Sequence, residues 1–162
     1  MKKVRNNIFE TNSSSVHTIS ISKTGMEKPK LTVKRRKKED GTYGKYIIGN
    51  LGTFDKNTAT YISQDDKLSY LLTICFLTDG YDNLDDMMNS YEFKELEEEI
   101  CKYCEKYFKC DGIKIDKRTL NEAYIDHQTL CDYSSLSDFK YRYMDYVDFI
   151  FNSYVGLETT CD

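Results

Sequence analysis

Both histidines of the chain stand inside polar clusters. His17 closes the run Phe9-Glu10-Thr11-Asn12-Ser13-Ser14-Ser15-Val16-His17, and His127 lies in Tyr124-Ile125-Asp126-His127-Gln128-Thr129. Imidazole titrates near neutral pH, so a histidine among carboxylates and hydroxyls suits general acid–base work. In such a site one imidazole is the base and Glu10 or Asp126 orients it. Ser13, Ser14 or Ser15 is then the nucleophile or phosphate ligand, with backbone N–H groups of the serine turn stabilising developing negative charge. Asn12 and Gln128 add amides able to hold a ligand by hydrogen bonds. A second arrangement joins His17 and His127 with Glu10 or Asp126 as a two-His-one-carboxylate metal site. No spacing requires either one, and the same residue types also cap backbone groups and hold irregular turns.

A different chemistry is offered by Lys34-Arg35-Arg36-Lys37-Lys38. Such a run can grip phosphates, and it can equally be a sheet edge that lysines protect from pairing with other chains. It belongs to a wider polarity. Residues 1–48 hold 12 Lys/Arg against 4 Asp/Glu, a balance of +8, whereas residues 49–162 hold 11 against 23, a balance of −12, within a net charge of −4. Charge segregated in this way points to charged partners.

The cysteines add little chemistry of their own. Cys101-Lys102-Tyr103-Cys104 has C-x-x-C spacing with Cys110 nearby, but it falls within a helical pattern and lacks a second matching pair, unlike a zinc ribbon. A redox motif would stand at a helix N-terminus, where the dipole lowers the thiol pKa. With Cys75, Cys131 and Cys161 these are expected to be reduced thiols. The start, Met1-Lys2-Lys3, runs into polar residues without an apolar signal region, and no apolar run is long enough to span a bilayer. A cytoplasmic protein without membrane association is therefore expected. The residues point to no particular cofactor or oligomeric state.

These clusters have to be positioned by a fold that 162 residues can build as one domain, burying roughly 70% of the unfolded surface. With 14 Tyr, 8 Phe and no Trp, aromatic rings must fill much of the core, and a tyrosine-rich surface is expected. Residues 16–22 alternate as a strand, with His17 at the start of the Ile19/Ile21 face. Residues 31–37 and 45–49 form a hairpin about Asp40-Gly41, a turn signal because glycine tolerates positive φ. Short strands are expected near 59–62, 113–115, 123–126 and 154–158. Three helices open at Ser63, Asn89 and Ser135, each with an acid three residues on. The fold class is thus α+β, a single domain over 1–162 with a mostly antiparallel sheet from the N-terminal half packed by about three helices.

The segment from Arg5 to Ile19, carrying Phe9-Glu10-Thr11-Asn12-Ser13-Ser14-Ser15-Val16-His17-Thr18, resembles the start of a group of small, mostly uncharacterised proteins of phages and Gram-positive bacteria. These share an F-E-T-N-S-S-S-x-H-[ST] signature, and Tyr124-Ile125-Asp126-His127-Gln128-Thr129 is similar to their second element, Y-I-D-H-Q-[ST]. The resemblance covers about 20 of the 162 residues. It implies a phage or prophage setting in a bacterial host cell and the convergence of both histidines in one pocket. Relatives end in a Gly/Asn/Asp-rich tail, whereas this chain ends Leu157-Glu158-Thr159-Thr160-Cys161-Asp162, so no role for the C-terminus follows.

Two functions emerge. The favoured one is non-enzymatic binding to a host protein or nucleoprotein, with inhibition of a host defence system as its outcome and nucleic acid contacted through residues 34–38. The other is a small hydrolase or nucleotide-processing enzyme using residues 10–17 with Asp126 and His127. The first requires only the surface already implied, the second several contacts at once.

Overall fold

Alternation of period two and helical stripes divide the chain into short strands and helices. A computed structural model describes the backbone at residues 15–21, 25–54, 59–78, 80–125 and 134–161, and side chains at 19, 25–54, 59–78, 80–125 and 134–159. The first elements are β1 (Ser15–Ile21), β2 (Val33–Lys37), β3 (Tyr43–Gly49), β4 (Thr53–Phe54) and β5 (Ala59–Tyr61). Helices α1 (Gln64–Thr78), α2 (Leu84–Asn89) and α3 (Tyr91–Cys104) follow. After β6 (Ile113–Ile115) come a 3-10 turn at Lys117–Glu122, β7 (Tyr124–Ile125), α4 (Leu136–Arg142), α5 (Tyr146–Phe151) and β8 (Val155–Cys161).

The α+β class holds, but the strands divide among three small sheets. One has the order β1-β8-β5 and is antiparallel throughout, with Ile19 opposite Leu157 and His17 opposite Thr159. The second, β2-β3-β6, joins an antiparallel hairpin to a parallel third strand, and the third pairs β4 with β7 in parallel. The strands expected near 113–115, 123–126 and 154–158 do complete these sheets, but in place of one mostly antiparallel sheet there are small ones, two of them with parallel pairing. Parallel pairing needs a long crossover, which α1 to α3 supply between β3 and β6.

Helix α1 is the hub of the core. Leu68, Tyr70, Leu71, Leu72, Ile74 and Cys75 are all buried, so the helix is apolar nearly all round, as a helix covered on several sides must be. Tyr70 meets Phe54 edge-on at 5.0 Å, and Phe139 meets Phe149 at 5.1 Å, geometries that favour the ring quadrupoles. Phe93, Leu96, Ile100 and Cys104 form the buried stripe of α3. The expected aromatic surface is also present, with Tyr43, Tyr91, Tyr107, Tyr124, Tyr141 and Tyr154 exposed.

Two helix boundaries differ from the sequence reading. Ser90, not Asn89, caps α3, its Oγ accepting from Phe93 N at 3.2 Å, while Asn83 caps the separate α2 by accepting from Asp86 N at 2.9 Å. The helix begun by the Ser135 cap stops at Arg142, and α5 starts afresh after extended backbone at Asp145. The break lets Tyr146, Phe149, Ile150 and Phe151 all become buried, more apolar surface than one continuous stripe presents.

One buried cation stitches these parts together. Lys67 of α1 is 1% exposed, and its Nζ donates to the carbonyls of Asn152 at 3.1 Å and Val155 at 3.2 Å. Burial lowers its pKa from 10.5 to about 8, against the opposing pull of Glu27. No helix among the described residues is long and apolar enough to cross a membrane.

Candidate anion-binding face and cleft

The basic run is sorted by strand geometry into three environments. In β2, Val33 pairs with Ile47, and Ile47 is fully buried, so this face turns to the core. Successive side chains of a strand point to opposite faces, so Lys34 and Arg36 lie on the outer face, and Arg35 and Lys37 on the inner one where it runs out past the core. All four are exposed. Lys38 leaves the run altogether. Its Nζ pairs with Asp111 Oδ1 at 2.5 Å, and Asp111 also accepts from Lys45 N at 2.9 Å. The Lys38 hydrogen bond chiefly, then the Lys45 amide, holds the Asp111 carboxyl below its ordinary pKa. Lys38 thereby tethers the hairpin to the entrance of β6.

The outer face gains its remaining groups from β3 and β6. Tyr46 stands opposite Lys34, and Ile48 opposite Lys114. The Lys114 ammonium lies over the Tyr46 ring at 5.1 Å from its centroid, a cation–π contact. Strand β6 is aimed by Gly112, whose φ of +127° is a conformation L residues rarely adopt, and by Glu97, whose Oε1 accepts from Ile113 N at 2.7 Å. The hairpin turn depends in the same way on Gly41, at φ +83°.

At the C-terminal end of β6 the sheet and the 3-10 turn flank an open cleft of about 390 Å³ lined by Arg36, Ile48, Lys114, Ile115, Asp116, Lys117 and Arg118. Four cations thus face one carboxylate. Asp116 is already matched, because Arg118 reaches it with Nη2 at 2.5 Å and Nε at 2.9 Å, and the Arg118 backbone N–H donates at 3.0 Å. These contacts, the guanidinium first, hold the Asp116 carboxyl far below the usual carboxylate range, with Lys34 adding to the effect. Among the described residues Lys117 approaches only Asp85, at 3.9 Å with both groups exposed. Among the described residues Lys34, Arg36 and Lys114 make no ion pair, so their charge is free to meet an external anion.

The histidine clusters stand differently. Glu10, Asn12, Ser13, Ser14, Asp126, His127 and Gln128 lie outside the described residues, and Ser15 and His17 are described only as backbone positions of β1. Among the described residues no group of three or more His, Cys, Asp or Glu is arranged to hold a metal ion. Cys75, Cys101, Cys104 and Cys110 are free thiols, as expected.

Sequence reasoning found Lys34 and Arg36 but missed Tyr46, Lys114, Lys117 and Arg118. The signal for Lys114 was present, since Ile113-Lys114-Ile115 alternates and must send the lysine outward. Its neighbours on the face come from a strand far away in the chain, which alternation does not reveal. Comparison with protein-family models, curated proteins and solved structures gave no match.

Proposed function

We propose that this chain acts by non-enzymatic binding to a nucleoprotein of a bacterial host cell, with the outer face of β2-β3-β6 as its contact and inhibition of a defence complex as its role. The observation that carries the reading is the set Lys34, Arg36 and Lys114, three cations on one sheet face without ion-pair partners among the described residues. Phosphate contacts of this kind supply affinity without sequence preference, through release of counterions. Tyr46 among them adds a ring of the type that nucleic-acid-binding surfaces use for base stacking. The phage setting rests on the Glu10 to His17 and Tyr124 to Thr129 segments and their resemblance to phage proteins.

The test is fluorescence anisotropy of labelled single-stranded nucleic acid, bare and coated with a single-strand-binding protein, titrated with the full chain at rising salt. Neutralising three phosphates gives a log–log salt slope of about −2 on single strands. The triple variant Lys34→Glu/Arg36→Glu/Lys114→Glu is expected to abolish binding while retaining the wild-type circular dichroism spectrum, since all three positions are exposed. Binding indifferent to salt, or unaffected by the triple variant, would overturn the reading.

A further inference from the structure

The cleft at the end of β6 is more specialised than the open face beside it. A phosphodiester carries one negative charge, and a row of separate lysines along a strand is enough to follow it. Here Arg36 from β2, Lys114 from β6, and Lys117 and Arg118 from the 3-10 turn line one open cleft of about 390 Å³, with Asp116 the only carboxylate among the described residues of its lining and already engaged by Arg118. That leaves an excess of three positive charges, far more than one diester neutralises. A terminal phosphate is close to doubly charged at neutral pH, and a diphosphate carries more. The compartment is also larger than a phosphate needs and lies within the size range of small-molecule sites. Ile48, on the same face as Lys114, gives it an apolar margin against which a sugar or base can lie.

We infer that this cleft is a seat for a terminal, multiply charged phosphate, borne either by a free nucleotide or by the phosphorylated end of a strand, with Arg36, Lys114 and Lys117 as its phosphate ligands and Ile48 beside the nucleoside. The inference deepens the nucleoprotein reading and rests on it for the identity of the phosphate's carrier. Arg36 is suited to a bidentate contact, whereas Lys114 and Lys117 act as point charges that follow the ligand. Arg118 orients Asp116 and contributes its charge from the cleft wall.

Isothermal titration of the full chain with pyrophosphate, with ADP, and with two short single strands differing only in a terminal phosphate tests this directly. Pyrophosphate and ADP are expected to bind, and Arg36→Ala and Lys114→Ala each to weaken them about tenfold. Lys102→Ala, an exposed position on α3 away from the cleft and the β2-β3-β6 face, is expected to leave pyrophosphate binding unchanged. A strand with a terminal phosphate binding about tenfold more tightly than its hydroxyl twin identifies strand ends as the carrier; ADP binding with no such preference identifies free nucleotides. If neither pyrophosphate nor ADP binds while both strands bind equally, the cleft inference is overturned and the face reading stands. Absence of binding by all four ligands overturns both.

Discussion

Replacing Lys67 by Met examines the most unusual energetic feature of the fold. The ammonium is sealed between α1 and the turn from α5 into β8, where it meets two carbonyls and no carboxylate within ion-pairing distance among the described residues. Its pKa falls from 10.5 in the free side chain to about 8 in the fold. Below pH 8 both folded and unfolded chains hold the proton, and the fold carries the whole cost of a buried charge. Between pH 8 and 10.5 the unfolded chain binds more protons than the folded one, so this residue's contribution becomes more favourable as pH rises. At about 1.4 kcal/mol per pKa unit the full difference is roughly 3 kcal/mol, of which roughly 2.5 appears between pH 7 and pH 10. Met is close to Lys in length and cannot titrate, but it leaves Val155 O without the lysine donor, a loss of about 1–3 kcal/mol. At pH 7 that loss and the relief of the buried charge nearly cancel. Several acids oppose the trend in both proteins, notably Cys104 and Tyr103, each pushed up to about 12 chiefly by burial. They cancel in the comparison of the two proteins. Urea unfolding of wild type and Lys67→Met at both pH values is therefore expected to show wild type gaining roughly 2.5 kcal/mol on the variant by pH 10. A difference that stays constant with pH, or shrinks, would refute the claim that burial has depressed this lysine.

Two further outcomes follow from the site's supports. Gly112→Ala is expected to destabilise the chain by about 1–3 kcal/mol, read as a lowered urea midpoint, because φ +127° is unfavourable for alanine and its Cβ would stand 2.7 Å from Glu97 Oε1. Cys104 is expected to resist iodoacetamide in the native protein at pH 8 and to react on unfolding, which peptide mass mapping checks, because burial keeps it as the thiol.

Local signals carried well into the structure where the residues that decide an element are near neighbours. Asp40-Gly41 marks the hairpin turn because its geometry is set within four residues, and the Ser135 cap donates no ambiguity, since its Oγ accepts from Asp138 N at 3.1 Å. The long apolar run of α1 was legible because nothing but a central helix buries Leu68, Leu71, Leu72 and Cys75 together. Sheet partnership was not legible. Strands β4 and β7 are two residues each, too short for a periodic signal, and β3 finds β6 across three helices. For the same reason half of the cleft was invisible in the sequence. Arg36 announced itself within a basic run, whereas Lys117-Arg118 becomes part of the same compartment only through the register that sets Ile48 beside Lys114. Alternation divides the run between the two faces of β2, but the diversion of Lys38 to Asp111 depends on a loop that no local pattern connects to the hairpin.

The most direct test of the proposed contact is amide chemical-shift mapping of the isotope-labelled full chain with a short single-stranded oligonucleotide at low salt, repeated at high salt. The account predicts perturbations concentrated at Lys34, Arg36, Tyr46, Ile48, Lys114 and Arg118 that vanish as salt is raised. Perturbations centred on the β1-β8-β5 sheet, or none at any salt concentration, would contradict it.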